Sequence, residues 1–284
     1  MRGWWQDLTD LVLPAECGGC GRPRTMLCSK CRAALHGAAP RRVRPTPEPS
    51  GLPPVHAAAG YAGVVRAALL AHKERGALAL AAPLGTALAG AVRAGLAGGG
   101  AGPGCGVPVL LVPVPSARRA VRARGHDPVR RMALAAAGEL RRSGTTARVT
   151  AVLRQRRPVA DQAGLNSRQR LVNLADALEV AGGGVRLLAG GRVVLVDDVM
   201  TTGASLCEAA RAVRDALADA RTGDTEVYAG VAGEARGERR GVRTTERAYR
   251  TQAPQGMAAG NGLVDRVRAA VVAASPEAFE TNRN

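Results

Sequence analysis

Two groups of residues have types and spacings that can do chemistry. Cys17 and Cys20 stand two residues apart, as do Cys28 and Cys31, and seven residues separate the pairs. Each C-x2-C turn can aim two sulfurs at one point, and two such turns complete the tetrahedral thiolate set that a structural zinc ion accepts. A redox C-x-x-C needs a single pair and opens a helix after a strand, a context absent around these cysteines. Gly18, Gly19 and Gly21 loosen the turns as a knuckle requires, and a closed four-sulfur site leaves no position for catalysis at the metal. The second group is "VVLVDDVMTTGAS", Val193 to Ser205, in which an apolar run ends in Asp197 and Asp198 and then gives way to Thr201, Thr202, Gly203, Ala204 and Ser205. Backbone N–H groups opening a helix, joined by the Thr201, Thr202 and Ser205 hydroxyls, make a cradle for a phosphate monoester, with Gly203 permitting close approach. Asp197 and Asp198 can accept hydrogen bonds from vicinal hydroxyls. A phosphate and a diol this close together describe a ribose 5-phosphate.

Other sites also place acids after an apolar strand. A P-loop requires G-x-x-x-x-G-K-[ST], and neither Lys30 nor Lys73 follows a glycine. A phosphoacceptor receiver domain carries its acids early and needs a late lysine, whereas no lysine follows Lys73. Since the two acids are adjacent like charges, Asp198→Asn is expected to relieve repulsion and leave stability intact. Cys207 falls within a helical apolar pattern and reads as a buried, inert thiol, while Cys105 sits in a Gly-rich connector without a visible partner.

These residues must be positioned by elements that the hydrophobic pattern marks out. Short β-like runs ("HAAAGY", "VLLVPVP", "RVVLVDDV", "TEVYAGVA") alternate with Ala-rich helical stretches at about Val64–Lys73, Ala77–Leu96, Val129–Leu140 and Gly203–Ala220. The alternation predicts an α/β fold, a parallel sheet flanked by helices. Continuously apolar runs such as "VVLV" suit strands covered on both faces. Before them, "WWQDLTDLVLP" predicts a short amphipathic helix ending at Pro14. The organisation that follows is a helix plus cysteine knuckle over 1–36, a Pro/Arg-rich linker over 37–54 and an α/β domain over 55–232. A tail over 233–284 is too polar to order itself, apart from a helix near Leu263–Ala273.

A chain of 284 residues has room for an ample core. Its net charge of +17 invites a nucleic-acid reading, but every cation except Lys30 and Lys73 is arginine in an Ala- and Gly-rich background, so the excess reads mainly as compositional bias. One Phe and few other aromatics argue against base stacking. No run reaches the roughly 18 uninterrupted apolar residues of a membrane span, and the acidic start does not resemble a signal peptide. The expected compartment is the cytoplasm, where clustered thiols favour a metal over disulfides.

"VVLVDDVMTTGAS" resembles the phosphoribosyl-pyrophosphate loop of type I phosphoribosyltransferases. Together with "YAGVVRAALLAHKERG", "LLVPVPSARRAVRARGHD" and "LRQRRPVADQAGLNSRQRLVNL" behind a four-cysteine knuckle, it resembles the ComF family over about Leu11 to Gly233. The resemblance implies a phosphoribosyltransferase-like domain that binds phosphoribosyl pyrophosphate with Mg²⁺ and carries a structural zinc ion. It leaves two functions open: transfer of phosphoribosyl to an unknown acceptor, or an accessory role in DNA uptake with single-stranded DNA and a helicase-like competence protein as partners. By the same resemblance Asp197 and Asp198 are the catalytic pair, and the loop Val114 to Arg118 faces pyrophosphate through Pro115, Ser116, and Arg118 or Arg119, although a plain basic turn has the same sequence. Lys73 can approach a diphosphate as a point charge or merely complement a helix C-terminus. The long polar stretch Gln155–Asn173 suits a lid, with Gln162, Arg168, Arg170 and Asn173 matching the family pattern. Where the family usually shows Arg-Gly-Phe-Asn-Gln this chain has Arg124, Gly125, His126, Asp127 and Pro128, so contacts at the last three positions are not carried over. His126 reads as a surface or packing residue.

Overall fold

Strands and helices alternate as expected through the computed structural model, which describes residues 16–97, 106–159, 164–234 and 267–282. The elements in chain order are α1 (Ser29–His36), β1 (Arg41–Val43), β2 (Val55–Gly60), α2 (Gly63–Glu74), α3 (Ala81–Ala97), β3 (Val109–Pro113), α4 (Arg118–Arg124) and α5 (Pro128–Arg142). They continue with β4 (Ala147–Val149), β5 (Leu153–Gln155), α6 (Ser167–Leu174), β6 (Leu178–Val180), α7 (Gly184–Ala189), β7 (Arg192–Met200), α8 (Ala204–Glu234) and β8 (Arg268–Ala274). Six strands form one sheet in the order β1-β2-β8-β7-β3-β4, all neighbours parallel except the β1 edge; β5 and β6 pair as a separate antiparallel hairpin.

Successive strand residues face opposite sides, so each strand feeds two cores. Val109, Leu111, Val194, Val196, Ala270 and Val272 pack in one core with α2, α3 and α5. Leu110, Val112, Leu195, Ala269 and Val271 pack in the other with α8 and the hairpin. The cysteine knuckle shares the first of these cores through Cys17, Cys28, Cys31 and Leu35. Helix α3 lies against α5, β2 and β8, and the approach is close: a Cβ on Gly85 would stand 2.4 Å from that of Ala135. The stretch Leu78–Ala97 is long and apolar enough to cross a membrane, with mean hydropathy 1.3, although Gly85, Gly90, Arg93 and Gly95 interrupt it; 61% of its most apolar window is buried in this core.

Three expectations are corrected. Residues 37–54 are not a bare linker: β1 extends the sheet, the Ser50 carbonyl accepts from Cys207 Sγ at 3.1 Å, and the Gly51 carbonyl accepts from Arg214 Nη1 at 2.6 Å. "TEVYAGVA" is helical, because α8 continues to Glu234. The tail supplies β8, where a helix had been expected, and this strand is inserted between β2 and β7 with Ala269 to Ala274 fully buried. The helix expected over "WWQDLTDLVLP", most of the Gly-rich connector with Cys105, and Gln162 lie outside the described residues.

Candidate functional site

The strand order reverses direction beside β3. From β3 the chain crosses to β4 on one side, then returns to β7 on the other. Open α/β sheets bind ligands beyond the carboxyl ends of strands at such a point. Two candidate segments leave the sheet there, the Val114–Ala117 loop after β3 and the Asp197–Ser205 segment at the end of β7, joined by the Val114 N–H donating to the Val196 carbonyl at 2.9 Å.

The two acids are adjacent at the end of β7, close enough for their carboxyls to act on each other. Asp197 shares a small cavity of about 30 Å³ with Thr201, Thr202, Gly203, Ala204 and Ser205. Asp198 is buried on the α2 side, where Lys73 Nζ donates to its Oδ2 at 2.6 Å and the Val199 N–H donates to its Oδ1 at 2.9 Å. Burial opposes the Lys73 ammonium, but the Asp198 charge and hydrogen bond outweigh it and raise its pKa. Burial, followed by the like charge of Asp198, pushes the Asp197 carboxyl well above the ordinary carboxylate range against the opposing pull of Lys73. The expectation that Asp198→Asn leaves stability intact is therefore corrected: Asp198 already has its counter-ion, and the relief belongs to Asp197.

The sign for stability follows directly. A carboxyl that is harder to ionise folded than unfolded costs stability as pH rises through the window between its two pKa values, and the full cost is present above the folded one. Asp197→Asn should raise the melting temperature at neutral pH, with the gain shrinking as pH falls toward the ordinary carboxylate range. Melting curves of both proteins across that range check this; an equal gain at every pH would assign the effect to packing.

The hydroxyl loop turns at Gly203 and opens α8 at Ala204. Gly203 adopts φ +75°, and a Cβ there would stand 3.1 Å from Leu52, so the loop is backed by the segment once read as linker. Arg170 Nη1, from α6, donates to Thr201 Oγ1 at 3.0 Å. That lid candidate thus sits on the hydroxyl loop. Arg168 is exposed on the same helix, and the Asn173 carbonyl accepts from Arg157 Nη2 at 3.0 Å. Pro115 and Ser116 line a separate cleft of about 310 Å³ with Val121, Arg122, Asp127, Leu153, Arg154 and Gln155. Arg118 begins α4 and Arg119 is exposed on its first turn.

Two groups were not singled out from the sequence. Arg124 pairs with Glu74 at 2.8 Å beside Lys73. Glu208, buried on α8, accepts from the Leu178 N–H at 2.9 Å and from Arg211, whose Nη2 also donates to the Leu178 carbonyl at 3.0 Å. This ties the hairpin to the helix that follows the hydroxyl loop. An acid three residues before an arginine within an apolar helical pattern was the available signal. His126 is a packing residue, as expected, with ring nitrogens 3.1 Å from the Arg124 carbonyl and 3.3 Å from that of His72. Cys207 is half-buried rather than buried.

The four knuckle cysteines hold their sulfurs within 4.8 Å of one another, and Cys20 Sγ and Cys28 Sγ are 3.6 Å apart. A tetrahedral metal with thiolates at about 2.3 Å sets such edges near 3.8 Å, so the cluster can hold a metal ion. Burial disfavours the Cys17 thiolate, but the N–H groups of Cys28, Cys20 and Gly19 outweigh it and bring the thiol down to about 6. Burial and the other three sulfurs push Cys31 up, which is where a metal would have to supply the compensating charge.

No protein-family model matches this chain, and no curated protein matches it either.

Proposed function

We propose that the chain binds phosphoribosyl pyrophosphate and Mg²⁺ at the carboxyl end of β7, in a domain of the type I phosphoribosyltransferase-like kind suggested by the ComF resemblance, and transfers phosphoribosyl to an acceptor. The observation that carries this reading is the union of an acid pair and a hydroxyl-rich helix entry at the reversal of strand order. The Thr201–Ser205 loop holds the 5-phosphate, with Arg170 already on Thr201 as a second cation source. Asp197 and Asp198 accept from the ribose hydroxyls. As pyrophosphate leaves C1 the ring gains positive charge, which the two acids favour, while Lys73 meets the negative charge growing on the leaving group. Mg²⁺ accompanies the diphosphate and neutralises part of its charge. Calorimetric titration with phosphoribosyl pyrophosphate and Mg²⁺ tests the reading: saturable one-to-one binding is expected, and no heat at millimolar ligand overturns it.

The metal of the cysteine cluster is zinc in this reading, and its role is structural, since all four positions are taken by thiolates and the cluster packs into the core beneath α2. Elemental analysis should find about one zinc per chain, from the four-ligand rule for such sites. Chelation should expose reactive thiols and lower the melting temperature; a metal-free chain with an unchanged melt would end this assignment.

A further inference from the structure

Arg170 stands over the hydroxyl loop with its guanidinium only partly used. Its Nη1 donates to Thr201 Oγ1 at 3.0 Å, while its Nε is buried with no hydrogen-bond partner among the described residues. A buried donor left without an acceptor is unfavourable, so the side chain is not held there by its own contacts. The helix that carries it must be held instead. At the start of α6, Asn166 and Gln169 exchange side-chain and backbone hydrogen bonds at 2.9 Å, which fixes the first turn but not the place of the helix beside the loop.

What places α6 lies at its other end. Ala175, Asp176 and Ala177 join it to β6, and Asp176 takes a left-handed φ of +54°, a conformation that Asp tolerates better than most residues. Two residues of α8 grip this turn. Glu208 accepts from the Leu178 N–H at 2.9 Å and Arg211 Nη2 donates to the Leu178 carbonyl at 3.0 Å, so both backbone groups of one residue are taken. Arg211 Nη1 also lies 3.5 Å from Asp176 Oδ1, and Arg211 donates to both Glu208 oxygens, at 2.7 and 2.8 Å. The Glu208 side chain is 5% exposed, and burying its charge costs much of what the pair returns, so stability alone accounts poorly for the arrangement.

The contacts close a ring. Helix α8 opens at Ala204, at the end of the hydroxyl loop, and presents Glu208 one turn later and Arg211 in the next. From there the grip passes to Leu178 and Asp176, back along α6 to Arg170, and through Arg170 to Thr201. One rigid helix thus carries the loop at its start and the grip just beyond. We propose that Glu208 and Arg211 are positioning residues for anion binding at the loop: they lock the α6–β6 turn to α8 in the register that sets the Arg170 guanidinium over Thr201. This rests on the reading of the loop as a phosphate site. Neither residue touches the ligand; their part is that Arg170 meets the phosphate already in place, without the loss of side-chain freedom that a loose arginine incurs on binding.

The test is calorimetric titration of phosphoribosyl pyrophosphate with Mg²⁺ into the full chain, read together with thermal melting. The paired replacement of Glu208→Gln with Arg211→Met removes both charges at once and keeps an acceptor for the Leu178 N–H. It should leave the melting temperature within a few degrees of wild type yet weaken binding about fivefold to tenfold, and Arg170→Ala should weaken it about tenfold, the size of one charge-assisted hydrogen bond. Adding the paired replacement to Arg170→Ala should cost no further affinity, because the grip acts only through that guanidinium. Arg211→Lys keeps a partner for Glu208 but cannot reach Leu178 as well; it should show a smaller loss of the same kind, and it takes the place of the paired variant if that one fails to fold. An equal loss with and without Arg170, or unchanged affinity in the paired variant, would make the grip an ordinary structural tie and overturn the proposal. If wild type does not bind the ligand, the phosphate reading of the loop falls and the proposal with it; if wild type binds and Arg170→Ala binds equally well, only the proposal falls.

Discussion

A chain ended at Gly233 should lose its cooperative fold altogether, because β8 lies in the middle of the sheet. It pairs with β2 from Val55↔Ala269 to Gly60↔Ala274 and with β7 from Val194↔Arg268 to Met200↔Ala274. Without it, two interior strands face each other across a gap with their ladder groups unpaired, each buried orphan costing about 1–3 kcal/mol. Val271 and Val272, one facing each core, would be lost as well. A handful of such losses exceeds the roughly 5–15 kcal/mol that separates folded from unfolded domains. Circular dichroism and thermal melting of the truncated chain should show no sharp transition. Val271→Asp in the full chain, a charge placed in a fully buried position, should do nearly the same. A truncated chain that melted cooperatively at the wild-type temperature would mean that β2 and β7 can close without β8.

The second large effect is expected at Asp198. Asp198→Asn should weaken phosphoribosyl pyrophosphate binding roughly tenfold to a hundredfold, the equivalent of one charged hydrogen bond of about 1.5–3 kcal/mol. It should also lower stability, by about 1–2 kcal/mol, because it strips Lys73 of its counter-ion in a pair that is neither fully exposed nor fully buried. Asp197→Asn separates the two effects: it should weaken binding too, yet raise the melting temperature. Thr201→Ala should reduce affinity in the same assay by removing a cradle hydroxyl that also anchors Arg170. If Asp198→Asn bound the ligand as tightly as wild type, the acid pair would not be holding ribose.

What could be read from the sequence follows from how local each signal is. The acid pair and hydroxyl loop stand out because a short apolar strand, two charges and a helix entry adjoin in the chain, and the structure keeps them adjoining. The cysteines stand out for the same reason. β8 could not be told from a helix: a strand buried on both faces is a continuous apolar run, and "RAAVVAA" is short and Ala-rich. The preceding polar stretch then drew it into a tail reading. Residues 37–54 misled through their Pro and Arg content, although Val43 is buried in an edge strand. The pairing of Arg124 with Glu74 joins residues 50 positions apart, which no local pattern encodes.

The central place of β8 also sets an order of events during synthesis. Chains emerge amino end first. By the time β7 leaves the ribosome, the knuckle, β1, β2, α2 and α3 are already outside, but β2 has no parallel neighbour until β8 follows. Lys73 belongs to the helix after β2 and Asp198 to β7, and the strand that sets their separation is the last of the sheet to be made. The nascent chain therefore carries the Thr201–Ser205 loop before its sheet closes. In the proposed reading, phosphoribosyl pyrophosphate would act as a late clamp on a sheet that has just closed.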